Sequence, residues 1–189
     1  AAVGTDNVTQ QVNWTIPDDI GVNHLVKVAT QFGNATIDIN DTSNATFRIR
    51  GAIILTTPNG ADIWYVNDTT RQIIWSSTGT VTPVKIEYSV NNGDGWTVLN
   101  DTYVGASGTN YYNWTPIPDE KSEACRVKVS DNRTAFSTNV TSTSNANFSI
   151  RPIISVSAPT AGQNIQVGST VTPLRWSYSG SKLTTMNLY

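Results

Sequence analysis

The residues with the clearest chemical potential are the asparagines, because eleven of nineteen stand two positions before a serine or threonine. Such a sequon offers a side-chain amide to a glycosyl carrier and is typical of surface positions in secreted proteins. Ser and Thr fill 44 of 189 positions, so chance alone would give about four sequons. A Thr/Asn-rich sheet surface could make sequons by accident, but the excess favours N-glycosylation. The predicted sites are Asn7, Asn13, Asn34, Asn40, Asn44, Asn67, Asn100, Asn113, Asn132, Asn139 and Asn147.

Residues that could support catalysis are scarce. The single histidine, His24, and the single cysteine, Cys125, exclude an intrachain disulfide and any site built from several His or Cys. We expect His24 at a surface or sheet edge. We expect Cys125, which opens a predicted strand, to be a small buried apolar group, with an intermolecular disulfide as the alternative. The chain is therefore predicted not to be an enzyme and to need no cofactor beyond N-linked glycans.

Acidic side chains leave two further alternatives. One group of acidic residues could supply hard oxygen ligands for calcium. However, no segment has the twelve-residue calcium-loop pattern, and Asp and Asn also form turns. The second group could supply a carboxylate pair for glycoside hydrolysis. Its members follow Pro17 and Pro118 in turns that recur in the sequence, so a structural role is favoured. The first group is Asp62, Asp68, Asp94 and Asp131; the second is Asp18, Asp19, Asp119 and Glu120.

The amino-acid composition limits the kinds of partner that the chain can bind. Charged residues make up 14% and the net charge is −2, too little basic charge for an interaction with nucleic acid or an anionic membrane. The longest aliphatic run, 52–55, cannot span a bilayer, so no membrane insertion is predicted. No basic segment precedes an apolar stretch at Ala1, so we expect any signal peptide to be removed or outside this sequence. Hydrophobic residues at 38%, with six Trp and seven Tyr, predict a packed β core.

Internal similarity divides the chain. Ordered blocks match at an offset of 100 or 101 residues, and two of them contain Trp. This spacing predicts one complete unit at 51–151, the second half of a unit at 1–50 and the first half of another at 152–189. The matched blocks are 12–15 with 112–115, 25–28 with 126–129, 43–50 with 144–151, 57–58 with 158–159, 73–76 with 174–177, and Gly79 with Gly180.

Short strands are predicted throughout the complete unit. Residues 71–75 and 84–88 alternate between apolar and polar with period two, and 89–96 has the Asn/Gly composition of a hairpin turn. No stretch has a helical stripe. About seven short strands in roughly 100 residues predict an all-β antiparallel β-sandwich. Its expected core is Ile73, Trp75, Val84, Ile86, Val127, Val129, Phe148 and Ile150.

The segments 55–64, 74–75, 84–89 and 92–96 together resemble an immunoglobulin-like or fibronectin type III-like tandem repeat of secreted microbial surface proteins. They are also similar to the N-terminal domain of a Ser/Thr-rich yeast surface-protein family of cell-wall biogenesis. Residues 126–131 fit the late-strand motif of the same repeats. The resemblance implies an Ig-like sandwich and an extracellular or cell-surface location. It implies no catalytic residues, because such repeats share none.

The tryptophans separate a structural role from a binding role. The repeat-matched pairs Trp14/Trp114 and Trp75/Trp176 alternate with aliphatic residues and are expected in cores. Trp64 and Trp96 remain open for contact with a ligand. An adhesin or carbohydrate-binding module would require such aromatic residues, or carboxylates, to be exposed together at one sandwich end.

These patterns favour a non-catalytic structural subunit of a glycosylated extracellular filament, sheath or cell-surface stalk. The alternatives are an adhesin or carbohydrate-binding module and an accessory domain of a secreted hydrolase. Residues 1–50 contain late strands and 152–189 contain early strands, so the two halves are complementary. We expect them to share one sandwich, either by head-to-tail complementation between copies of the chain or because both belong to a longer chain.

Overall fold

The structure is a computed structural model that describes residues 9–30, 39–136, 140–170, 174–183 and 185–188. Within these residues the chain is all-β and contains no helix, which confirms the predicted class. The strands are β1 (Gly21–His24), β2 (Lys27–Ala29), β3 (Asn40–Thr42), β4 (Phe47–Ile49), β5 (Ala52–Thr57), β6 (Ile63–Tyr65), β7 (Gln72–Thr78), β8 (Val84–Ser89), β9 (Thr97–Tyr103), β10 (Gly108–Asn113), β11 (Ser122–Asp131), β12 (Thr141–Thr143), β13 (Phe148–Arg151), β14 (Ile154–Ala158) and β15 (Arg175–Tyr178).

Two sheets build the part of the molecule between Ala52 and Arg151, which we call the central unit. One has the order β10-β7-β5, and the other has the order β6-β13-β11-β8-β9, with β12 also paired to β11. The alternating side chains of both sheets contribute to one hydrophobic cluster, because period two places every second residue on the same face. All eight predicted core residues are buried, with at most 1% of any of them exposed. The strand register predicted from alternation is therefore confirmed.

The turn between β8 and β9 has the predicted hairpin chemistry. Asn92 and Gly93 have φ angles of 61° and 98°, in the left-handed region that Asn and Gly tolerate best. The Ser89 hydroxyl accepts hydrogen bonds from the backbone N–H groups of Asn91 and Gly93, at 3.2 and 2.9 Å. These contacts fix the hairpin that places β9 at the edge of the larger sheet.

One pairing departs from the antiparallel expectation. β6 runs parallel to β13, with Ile150 opposite Trp64 and Ser149 opposite Ile63. The chain leaves β5 through a turn at 58–62 and joins the other sheet, where it runs in the same direction as β13. This three-residue strand brings Trp64 into the core, where only 2% of the residue is exposed.

The terminal segments pair in the same register as the central sheets. Every aligned pair of β1–β4, β2–β3 and β14–β15 has a counterpart 101 positions away in the chain, including the irregularities at His24 and Ala158. The counterparts are pairs of β11–β13, β11–β12 and β5–β7 respectively. Examples are Gly21↔Ile49 with Ser122↔Ile150, Val28↔Asp41 with Val129↔Ser142, and Val156↔Trp176 with Leu55↔Trp75.

Candidate functional site

Six of the eight sequon asparagines that the structure describes are exposed, and none of the eight is buried. Asn13 and Asn113, which precede equivalent tryptophans, are both exposed, as alternation requires. Three predicted sites, Asn7, Asn34 and Asn139, lie outside the described residues. Of the others, Asn40, Asn44, Asn67 and Asn132 are also exposed, whereas Asn100 and Asn147 are half-buried.

Hydrogen bonds distinguish these asparagines as acceptors of a glycan, which attaches to Nδ2. Asn113 uses Oδ1 to accept a 2.8 Å bond from Gln72 Nε2, which leaves its Nδ2 unbonded in that contact. Asn132 instead donates through Nδ2 to the Asp101 carbonyl at 2.7 Å, so that bond must break before modification. Of these two sites, Asn113 therefore has the more suitable geometry.

The predicted non-catalytic residues occupy structural positions. Cys125 is fully buried, and burial raises the pKa of its thiol, which disfavours the reactive thiolate. His24 lies against Phe47, with ring centroids 5.7 Å apart, and its Nδ1 is 3.7 Å from Asp19. Its Nε2 is buried without a hydrogen-bond partner.

Two of the acidic residues considered for hydrolysis instead form joints between neighbouring parts of the fold. Asp18 accepts hydrogen bonds from Thr80 N at 2.8 Å and Thr80 Oγ1 at 2.7 Å, and these bonds hold the pKa of Asp18 below its ordinary value. Asp119, 101 residues later, accepts from Ser181 N at 2.7 Å, and that residue lowers its pKa in the same way.

The second joint has an additional ion pair. Lys182 pairs with Glu120, beside the bond between Asp119 and Ser181. Each joint also has a glycine with positive φ, Gly79 at 79° and Gly180 at 94°. A Cβ on either glycine would lie 2.9 Å from the joint aspartate's Oδ1, so a side chain there would force the contact apart. Sequence patterns identified these acids as structural but did not reveal their partners 62 positions away.

The acids considered for calcium are separated in the structure. Asp68 accepts from Thr70 N at 2.8 Å and pairs with Arg71 at 2.7 Å; the Thr70 bonds lower its pKa most. Asp131 is fully buried and pairs with Arg133 at 2.6 Å. Asp62 accepts from Asn59 N, and Asp94 lies in the β8–β9 turn. Within the described segments, no group of three or more potential metal-ligating side chains is found.

Neither tryptophan left open for ligand binding presents a free aromatic face. Trp64 is buried between Trp114 and Phe148, with ring centroids 5.6 and 5.1 Å apart. Trp96 is half-buried, and the Lys128 ammonium lies 4.2 Å from its ring centroid. That ammonium is also 2.9 Å from the Glu87 carboxylate, so it is held in place over the ring.

An open apolar surface lies near the beginning of the chain. Trp14, Val26 and Val28 are 50%, 40% and 71% exposed, whereas their counterparts Trp114, Val127 and Val129 are 4%, 0% and 0% exposed. We call this surface the head face. Phe47 of the same face is half-buried, and Ile49, the counterpart of the buried Ile150, is only 8% exposed.

A second open apolar surface lies near the end of the chain. Val156 and Trp176 are 63% and 46% exposed, and they correspond to the buried Leu55 and Trp75. Ile165 and Val167, at 47% and 98% exposed, correspond to the buried Trp64 and Val66. We call these exposed residues together the tail face. Val156 and Trp176 line a groove with Leu174, Met186 and Leu188, whereas Ile165 and Val167 lie outside that groove.

Comparison with known proteins identifies no relative: no protein-family model matches the sequence, and neither does any curated protein. In the described part of the chain, no helix is long and apolar enough to cross a membrane.

Proposed function

We propose that the chain is a non-catalytic structural subunit of a glycosylated extracellular filament, sheath or cell-surface stalk. It is built from Ig-like β-sandwich units of about 101 residues that succeed one another head to tail. The repeated joint is the observation that carries this proposal. The Asp18–Thr80 and Asp119–Ser181 contacts relate successive parts of the chain in the same way.

The joint has consequences for assembly because it repeats a spatial relation. Applying one relation again and again generates an open linear array rather than a closed ring, unless the rotation happens to close. The shared register of the terminal and central strand pairs supports the presence of a similar unit on each side of a joint. An array of this kind can extend without a separate linker protein.

The surface agrees with an extracellular role. The exposed sequons would place glycans around a sheet surface, where bulky sugars hinder unwanted edge-to-edge pairing. Trp64 is buried and Trp96 is covered by Lys128, so the two tryptophans that the sequence left open for a ligand give the adhesin alternative no support.

Electron microscopy of material from the native source tests the proposal. We expect linear fibres, and the intact mass of the subunit should exceed that of the bare polypeptide and fall after glycan removal. Peptide mapping should find a glycan on Asn113. Compact single particles at the bare polypeptide mass would contradict both the filament and its glycosylation.

A further inference from the structure

The head and tail faces are complementary in the arrangement of their rings. In the central unit, Trp114 and Phe148 contact each other edge to face, with centroids 6.5 Å apart, and Trp64 packs on both. On the head face the equivalent pair, Trp14 and Phe47, has the same edge-to-face contact at 6.0 Å. His24 makes a ring contact with Phe47, with centroids 5.7 Å apart, but among the described residues no ring packs on both members of this pair as Trp64 does.

The residue equivalent to Trp64 lies on the tail face. Ile165 is 101 positions from Trp64 and half exposed. The turn after it already has the conformation of the central unit: Asn67 and Gly168 both have positive φ, at 63° and 80°. The bond from Asp68 N to the Tyr65 carbonyl also has its counterpart from Ser169 N to Gln166, at 3.1 Å. Such preorganisation reduces the entropy lost on binding.

Backbone edges complement each other as well. In the central unit, β13 pairs in parallel with β6, and Val66 N donates to the Arg151 carbonyl at 3.0 Å. The head equivalent of residues 149–151 of β13 lies 101 residues earlier, at 48–50, and the tail equivalent of 63–66 lies 101 residues later, at 164–167. The same contacts would therefore join these two segments. Ile49 would then lie opposite Ile165, and Val167 N would donate to the Arg50 carbonyl.

A second seam involves the free edge of β15. β7 lies between β5 and β10, whereas β15 has only β14 beside it among the described strands. The head segment equivalent to β10 lies 100 residues earlier, and its residues 10–13 belong to no strand. Transfer of the Asn110↔Trp75 pair places Gln10 of the head opposite Trp176 of the tail. An added strand of this kind gains main-chain hydrogen bonds along the seam.

Charge favours the union of unlike ends. Residues 1–50 contain five Asp and three Lys or Arg, which gives a net charge of −2. Residues 152–189 contain Arg175 and Lys182 with no Asp or Glu, which gives +2. A head approaching a tail is therefore attracted, whereas two heads or two tails repel each other.

From these observations we infer that the head face of one copy of this chain receives the tail face of a second copy, in the register of the central unit. Ile165 of the tail packs on Trp14 and Phe47 of the head, residues 48–50 pair in parallel with 164–166, and residues 10–13 extend the sheet beside β15. This inference rests on the proposed function and specifies the contact through which the subunits join.

Cysteine cross-linking between two full-length variants tests the register. Both chains carry Cys125→Ala, which removes the native thiol; one also carries Arg48→Cys and the other Asn164→Cys with an affinity tag. Arg48 and Asn164 are exposed and correspond to the aligned pair Ser149↔Ile63. Mild oxidation of the mixture should give a tagged heterodimer as the main disulfide product.

Two controls accompany the mixture. A single chain with Ile63→Cys and Ser149→Cys should form the same disulfide within one molecule, which shows that the geometry permits the bond. A mixture of Arg48→Cys with Ser157→Cys should give no excess heterodimer, because Ser157 is exposed but belongs to β14, in the other sheet of the shared unit. Circular dichroism confirms that each variant is folded.

A 48–164 heterodimer that exceeds the 48–157 background supports the inference. Equal yields from the two mixtures, or a chain that stays monomeric at every concentration while the 63–149 control forms, overturns it. Fibres in native material without the 48–164 bond would leave the proposed function standing and refute only this register. A 48–164 disulfide in the absence of fibres from native material would support this register and refute the proposed filament function.

Discussion

The central unit and the two terminal segments use the same strand pairing but differ sharply in burial. Val129 is fully buried and its counterpart Val28 is 71% exposed; Trp75 is fully buried and Trp176 is 46% exposed. The pairs Val129↔Ser142 and Val28↔Asp41 nevertheless have the same register. The matching registers show that these strand pairs form without a core, whereas a core requires a second sheet, which neither end supplies for itself within the described residues.

The largest expected difference comes from a charge introduced on each face. Val129→Asp buries a carboxylate without a partner, and we expect it to lower the free energy of unfolding by about 4 kcal/mol or more. Val28→Asp should leave the stability of the dilute monomer within about 0.5 kcal/mol and abolish association. Urea denaturation and sedimentation measure the two effects. Equal destabilisation by both substitutions would refute the difference in burial.

Removal of the paired tryptophans should give the next largest effect. Trp75→Ala leaves a cavity in the shared core and should cost about 3–5 kcal/mol. Trp176→Ala should cost under about 1 kcal/mol in the dilute monomer, because that ring is half exposed and its described bond is to Met186 Sδ at 3.2 Å. Denaturation followed by circular dichroism checks both values, and a cost at Trp75 no larger than that at Trp176 would contradict the difference in burial.

The two joints should respond to pH in the same way. Because the pKa values of Asp18 and Asp119 are lowered from 3.8 in the folded chain, their contacts stabilise it above that value. The stabilisation is lost as pH falls through the lowered folded pKa. The amide signals of Thr80 and Ser181 should titrate together below pH 3.8 in NMR spectra. Asp18→Asn should abolish the titration of the Thr80 amide signal and leave that of the Ser181 signal unchanged. Titration midpoints of the two amide signals that differ from each other and lie at or above pH 3.8 would contradict the equivalence of the two joints.

The smallest effects should come from the sequon pair. Asn13→Gln and Asn113→Gln lie on exposed positions, so each should change the stability of the unglycosylated chain by no more than about 0.5 kcal/mol. Thermal denaturation measures this. A large loss at Asn113 alone would show that its bond to Gln72 matters more than its accessibility.

Period-two patterning was enough to predict the core register, because residues such as Ile73 and Val127 lie in strands whose two faces differ in polarity. Patterning did not predict the burial of Trp64, because β6 has only three residues and the position of Trp64 depends on the parallel pairing of β6 with the distant β13. The joints were not predicted for the same reason: Asp18 and Thr80 are 62 residues apart in the chain and become neighbours only in the folded structure. The sequence repeat identified Asn13 and Asn113 as equivalent, but it did not predict the hydrogen bond from Gln72 to Asn113.

The central claim is that each open face is covered by the complementary face of another copy. Sedimentation velocity of the unmodified chain over a wide concentration range tests it most directly. The account predicts a series of species that lengthens with concentration and shortens again in Val28→Asp. A single monomeric species at all concentrations, or association that Val28→Asp leaves unchanged, would contradict it.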